Sequence, residues 1–145
     1  MLIKISKLTD KAKLPTRGSE YAAGYDLYGN NDEALTIMPN EIKRISTDLA
    51  MEIPKGYFGA IYARSGLATK QGLRPPNCVG VIDSDYRGNI GVALINDTDM
   101  PQEIQPHERV AQIVIQPCLD VEFELTDELS ETNRGANGFG STGKC

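Results

Sequence analysis

Apolar residues in this chain come in short runs rich in Ile, Val, Leu and Tyr, broken at intervals of roughly ten residues by Gly, Pro, Asn or Asp. That spacing suits many short strands joined by turns, not helices. Strands are expected at residues 2–8, 35–38, 42–45, 50–53, 57–63, 78–82, 90–96, 109–116 and 121–125. In the last of these, Val121-Glu122-Phe123-Glu124-Leu125, strict alternation puts apolar side chains on one face and carboxylates on the other. No window repeats apolar residues at helical spacing over several turns. The one short helix expected is Ser65-Gly66-Leu67-Ala68-Thr69-Lys70-Gln71-Gly72, with Ser65 as N-cap and Gly72 as stop. The fold class is therefore all-β, a jelly roll or distorted β-barrel with one short helix.

Beyond Leu125 the sequence turns polar, acidic and then glycine-rich, and Phe139 is the only large apolar side chain after Leu129. Such a segment cannot bury enough apolar surface to offset its ordering entropy. The expected division is a β domain at 1–125 and a flexible C-terminal arm at 126–145.

Composition narrows the classes of function. With 145 residues, 40% hydrophobic and 24% charged, the chain can build one core and one domain. A net charge of -5 disfavours the phosphate backbone of a nucleic acid. A small phosphorylated ligand needs only a local group of Arg side chains and backbone N–H donors, so it stays open. No apolar run approaches the roughly 20 residues of a membrane span, and Met1-Leu2-Ile3-Lys4-Ile5 lacks the basic-then-apolar order of a signal peptide. No membrane partner and a cytoplasmic location are expected. Cys78, Cys118 and Cys145 are odd in number, far apart and without a CxxC pair, which reads as reduced thiols. With His107 the only histidine, a Ser-His-Asp triad or a multi-histidine metal site is hard to build. Any chemistry must rest on carboxylates, arginines and hydroxyls, with or without a bound metal ion.

Several segments could carry it. In Tyr62-Ala63-Arg64-Ser65-Gly66-Leu67 a strand runs into the short helix, bringing a guanidinium fork, a hydroxyl and free backbone N–H groups together as an anion site. The same residues also make an ordinary capped helix with a surface arginine. Asn77-Cys78-Val79-Gly80-Val81-Ile82-Asp83-Ser84-Asp85-Tyr86-Arg87-Gly88-Asn89, followed by 90–96, reads as a β-hairpin with two acids and a tyrosine in its loop. Gly80 would let a flat base approach the strand edge, while the loop composition also fits a plain solvated turn. Asp26, in Ala22-Ala23-Gly24-Tyr25-Asp26-Leu27-Tyr28, either closes an Asx-turn or serves a metal ion. Gln112 interrupts an apolar strand, so it either faces solvent or is buried with partners. Gly138 to Lys144 imitates a P-loop, but Cys145 replaces the required Ser or Thr and no helix follows to hold phosphates. What remains is a glycine arm with Arg134, Ser141 and Thr142 as phosphate contacts and Phe139 as a stacking face.

Taken in order, the segments around Asp26, around Arg64, from Gly80 to Gly88, from Arg109 to Ile113, and the terminal glycine arm resemble the five motifs of the trimeric dUTP pyrophosphatases, the dUTPases. The resemblance implies a jelly-roll homotrimer with active sites shared between subunits. It also implies magnesium-assisted hydrolysis of dUTP to dUMP and pyrophosphate, which limits uracil in DNA and supplies dUMP for thymidylate synthesis. By that similarity Asp83 would polarise the water that attacks the α-phosphorus, and Tyr86 would pack on deoxyribose and exclude a 2′-hydroxyl. Asn77, Gly80, Val81, Ile82 and Gly91 would read uracil, and Arg64, Ser65, Gly66 and Gln112 would hold phosphates. Asp26 and Gln112 would reach the magnesium ion through water. Arg134, Phe139, Gly140, Ser141 and Thr142 would close over the nucleotide from a neighbouring subunit. Asn137 stands where the family's arm more often has glycine. Two other readings of the fold are a dCTP deaminase, which needs an acid/base residue that the 77–89 segment lacks as glutamate, and a nucleotide-gated docking protein.

Overall fold

The computed structural model describes residues 1–138. Among them the strands are β1 (Lys4–Lys7), β2 (Thr16–Arg17), β3 (Tyr25–Tyr28), β4 (Leu35–Ile37), β5 (Ile42–Ser46), β6 (Leu49–Glu52), β7 (Tyr57–Tyr62), β8 (Leu73–Arg74), β9 (Val79–Ile82), β10 (Gly91–Asn96), β11 (Gln102–Ile104) and β12 (Arg109–Pro117). One short π-helical turn, Leu67–Gln71, lies between β7 and β8. The larger sheet has the order β2-β3-β12-β7-β9 and the second β5-β10-β8, with β1-β6 and β11-β4 as two-stranded pairs. Every pairing is antiparallel, and the architecture is a jelly roll.

The core forms where the inward faces of these sheets meet. Leu27, Ile61 and Ile113 come from the larger sheet, Ile45, Val92 and Leu94 from the second, and Ile37 and Ile104 from the β4-β11 pair. In β10 the side chains of Val92, Leu94 and Asn96 are buried and their neighbours are not, the period-two signature of a strand with one face inward. Full burial of one such Leu contributes about 1.5–3 kcal/mol. Asn96 is buried with its polar atoms satisfied: its amide donates to the carbonyls of Ile37 (2.9 Å) and Met100 (2.8 Å) while its oxygen accepts from Thr98.

Eight of the expected strands form within a residue or two of their expected ends. The ninth does not: residues 121–125 form no strand and have no strand partner, with Phe123 96% and Leu125 100% exposed. Alternation gives a segment two faces, but a strand needs a hydrogen-bonded neighbour, and the described chain offers none there. The expected helix is also corrected at its start. Its N-cap is Gly66 and no side chain caps it; Ser65 instead offers its carbonyl to the Thr69 hydroxyl at 2.7 Å. Gly72 does end the turn, in the left-handed conformation at φ +64°, with its N–H on the Leu67 carbonyl.

Candidate active site

The first group of expected residues gathers where β3, β12 and β7 run side by side. Asp26 lies in β3 directly opposite Gln112 of β12, which in turn faces Tyr62 of β7. Asp26 is therefore a strand residue, and the Asx-turn reading is overturned. The residue is 9% exposed, and its carboxylate accepts from Arg64 Nε at 2.8 Å and from Arg109 Nη1 at 3.3 Å. Burial of a charge this deep is tolerated because it is paired on both oxygens. Gln112 is half-buried and takes the partnered form of its two readings, its Nε2 donating to the Ala63 carbonyl at 3.0 Å. A Cβ on Gly24 would collide with the Gln112 side-chain oxygen, so only glycine lets this amide lie where it does.

Arg109 has no individual role in the sequence-based reading. In a regular strand, positions 109 and 112 would point to opposite faces. A register shift between Arg109 and Ala111 inserts an extra residue, so Arg109 pairs with Tyr28 while Gln112 pairs with Asp26, two residues apart on β3. The bulge turns both side chains to one face. The Arg109-to-Gln112 spacing of three gives no hint of this, because bulges have no reliable sequence mark.

The second group surrounds a cleft between β9 and β10. The expected hairpin is corrected here: β9 pairs with β7, and β10 pairs with β5 and β8, so the two arms do not pair with each other. Between them opens a slot of about 190 Å³ lined by Asn77, Gly80, Val81, Ile82, Gly91 and Val92, among others. Gly80 sits over Ile61, where an added Cβ would come within 3.2 Å of the Ile61 Cβ. Adjoining the slot is a recess of about 140 Å³ that shares Val81, Ile82 and Gly91 and adds Asp83, Tyr86, Asn89 and Arg44. Asp83 is exposed, and none of the ion pairs among the described residues engages it. Tyr86 N–H closes a turn onto the Asp83 carbonyl at 3.2 Å, and its hydroxyl donates to the Asn89 carbonyl at 3.0 Å. Its ring lies across Gly88, where a Cβ would sit 2.7 Å from the ring's Cζ.

The two groups are not adjacent within one copy. Arg64 leaves β7 past the Tyr62↔Val79 rung and Asp83 leaves β9 past the Gly59↔Ile82 rung, at opposite ends of the same ladder. At about 3.3 Å per residue they stand roughly 15 Å or more apart. Ser65 and Gly66 are exposed beside Arg64. Arg134 is exposed, with its Nε on the Asn137 carbonyl at 2.9 Å, while Phe139, Gly140, Ser141 and Thr142 lie outside the described residues. No cluster of three metal-ligating side chains occurs among the described residues, and no helix among them is long and apolar enough to cross a membrane. Cys78 and Cys118 are free thiols.

Comparison with known proteins gives one answer. The family model described as dUTPase matches residues 10–143. A deoxyuridine 5′-triphosphate nucleotidohydrolase of Desulfitobacterium hafniense is 52% identical over 136 residues, covering 92% of this chain and 90% of the relative. That of Nautilia profundicola is 49% identical over 144 residues, covering 99% and 100%. Among solved structures, the Staphylococcus bacteriophage 80alpha dUTPase with dUPNHPP superposes with a TM-score of 0.89 at 31% identity, over 98% of each chain. A mutant dUTPase from phage phi11 of S. aureus, described with a structural Mg(II) ion, superposes with a TM-score of 0.80 at 27% identity, over 90% of this chain and all of that one. The match runs through both side-chain groups and the β framework that holds them, and the chain accordingly belongs to the dUTPase family, as a hydrolase of deoxyuridine triphosphate.

Proposed function

We propose that the chain cleaves dUTP to dUMP and pyrophosphate by attack of a water molecule on the α-phosphorus, assisted by magnesium, with Asp83 holding and polarising that water. In a cell this limits uracil in DNA and provides dUMP for thymidylate synthesis. The free thiols suit the reducing cytoplasm. The observation that carries the reading is the exposed, unpaired carboxylate of Asp83 at the mouth of a base-sized slot, with Tyr86 beside it. An ionised carboxylate within hydrogen-bond reach of a water takes its proton as the oxygen attacks. Main-chain groups along Gly80, Val81, Ile82 and Gly91, with Asn77, read the uracil edge. A base with reversed donors and acceptors leaves buried polar groups unpaired, at about 1–3 kcal/mol each. The Tyr86 ring packs on deoxyribose and leaves no room for a 2′-hydroxyl.

Arg64, Ser65, Gly66 and Gln112 hold the phosphates. The donor set fits magnesium held by those phosphates and by water, since a carboxylate has about four acceptor positions and each oxygen of Asp26 gives one to an arginine. Asp26 and Gln112 then have acceptor capacity left for metal-bound waters. The ion, when bound, neutralises the triphosphate and stabilises the departing pyrophosphate.

Separation of the phosphate-holding residues around Arg64 from Asp83 within one copy supports a homotrimer whose sites are shared between subunits. Uncovered apolar surface supports it too: Phe123 and Leu125 are exposed, and Ile3, Ile5, Met51, Ile113 and Ile115 line an open groove of about 580 Å³. Residues 126–145 act as an arm, with Arg134, Phe139, Gly140, Ser141 and Thr142 closing over the nucleotide of a neighbour. Asp83→Asn tests the central claim. It should bind a non-hydrolysable dUTP analogue as the wild type does and lose turnover by about 100-fold or more. Undiminished turnover would remove Asp83 from the mechanism.

A further inference from the structure

Residues of the turn between β5 and β6 do not line the slot, yet they grip the far leg of the loop that carries Asp83 and Tyr86. Ser46 forms the β5 rung to Gly91. The Thr47 hydroxyl donates to the Ile90 carbonyl at 2.7 Å, and the Ile90 N–H donates to the Leu49 carbonyl at 2.8 Å. Between them Asp48 sits at φ +51°, a left-handed conformation that Asp tolerates better than most side chains. Its carboxylate collects four donors. Oδ1 accepts from the Ser46 hydroxyl and from Asn89 Nδ2 at 2.9 Å, and Oδ2 from Asn30 Nδ2 at 2.6 Å and the Thr9 hydroxyl at 3.2 Å. The Asn89 amide also donates to Ser46 Oγ at 2.6 Å, so both its hydrogens are committed to this turn. The main-chain carbonyl of the same Asn89 then accepts the Tyr86 hydroxyl at 3.0 Å and Arg44 Nη2 at 3.2 Å.

We infer that Asp48 is a positioning residue for sugar selection: through Asn89 it fixes the carbonyl on which the Tyr86 hydroxyl rests, and thereby the place of the ring that excludes a 2′-hydroxyl. The inference rests on the reading of Tyr86 given above. Its physical basis is that only an anion offers enough acceptor positions for four donors at once. An amide in place of the carboxylate turns its own N–H₂ toward the amide of Asn30 or of Asn89, and one of those loses its acceptor. If Asn89 is the one released, the carbonyl under Tyr86 is no longer held and the ring can give way to the larger sugar.

The test compares kcat/KM for dUTP and for UTP in Asp48→Asn, Asn89→Ala, Thr9→Val and Tyr86→Ala, with a thermal melt of each. Asp48→Asn and Asn89→Ala should each lower the dUTP:UTP ratio by about tenfold, the loss expected for one unpaired group. Thr9→Val removes a partner from the other oxygen, so it should lower Tm and keep the ratio. Tyr86→Ala should lower the ratio at least as far as Asp48→Asn. If Asp48→Asn and Asn89→Ala lower Tm but keep the ratio while Tyr86→Ala changes it, the network serves only the fold and the inference is overturned. If Tyr86→Ala itself keeps the ratio, the reading of Tyr86 falls and the inference with it. Should Asp48→Asn fail to fold, Asn89→Ala decides by the same criterion.

Discussion

Two carboxylates in this chain show how local partners set what an acid can do. Asp83 is exposed and outside every ion pair of the described residues, which leaves its oxygens open to the attacking water of the proposed mechanism. Asp48 is spoken for on both oxygens, and the hydrogen bond from Ser46, followed by that from Asn30, holds its carboxyl below the ordinary carboxylate range against the opposing effect of burial. A group depressed in this way stabilises the fold at every pH above its unfolded value, near 4, and gives that stability up as pH falls toward its folded value. Thermal melts between about pH 6 and pH 2 should therefore fall more steeply below pH 4 for the wild type than for Asp48→Asn, whose side chain does not titrate. Parallel curves would mean that Asp48 contributes nothing to acid stability. Asp26 differs again: with guanidinium groups on both oxygens it orients Arg64 and Arg109, a role visible only once the strands are paired.

The strands most legible in the chain are those with a β-branched or aromatic run and one buried face, such as β7, β10 and β12. Missed were β2, β3, β8 and β11, strands of two to four residues whose pairing is set by neighbours distant in sequence. Residues 121–125 have the right alternation and no partner, so pattern alone misleads there. The site divides in the same way. Asp83, Tyr86, Gly80 and Gly91 are legible from one contiguous segment and do line joined recesses. The Asp26, Arg64 and Arg109 set is assembled from β3, β12 and the residues just after β7, with a bulge, and the brace on Asn89 comes from a turn more than forty residues away in sequence. Glycine in β7 has a consequence that can be measured. A Cβ on Gly59 would lie 2.9 Å from Ile113 Cδ1 and 3.1 Å from Ile53 Cδ1, both in the core, and 3.3 Å from the Ile82 Cβ on the neighbouring strand. Gly59→Ala should destabilise by about 1–3 kcal/mol in urea unfolding, since a packed core accommodates an extra methyl only by shifting side chains off their rotamers. A stability equal to the wild type would show that the β7–β12 packing is looser than these distances indicate.

Across the molecule, the buried core and the proposed closing arm occupy different parts of the chain. Among the described residues the buried ones all fall between Ala12 and Ile113, while every one from Pro117 onward is exposed and strand-free after β12 ends. Apolar burial dominates folding free energy, so the tail adds little to it. The proposed arm closes the site over the nucleotide, and closure excludes water and completes the set of phosphate contacts. A chain ending at Thr132 should therefore keep the thermal midpoint of the full-length protein to within a few degrees, since about 1 kcal/mol moves Tm by 2–8 °C in domains of this size range. Its pyrophosphate release from dUTP in the presence of magnesium should collapse, by about 100-fold or more if one closure step carries the phosphate contacts and the stacking face together. Binding of the product dUMP, which lacks the β- and γ-phosphates that the arm would grip, should weaken far less than turnover. A truncated chain that melts well below the full-length protein would place the arm in the fold, and one that hydrolyses dUTP undiminished would leave residues 133–145 without a catalytic role.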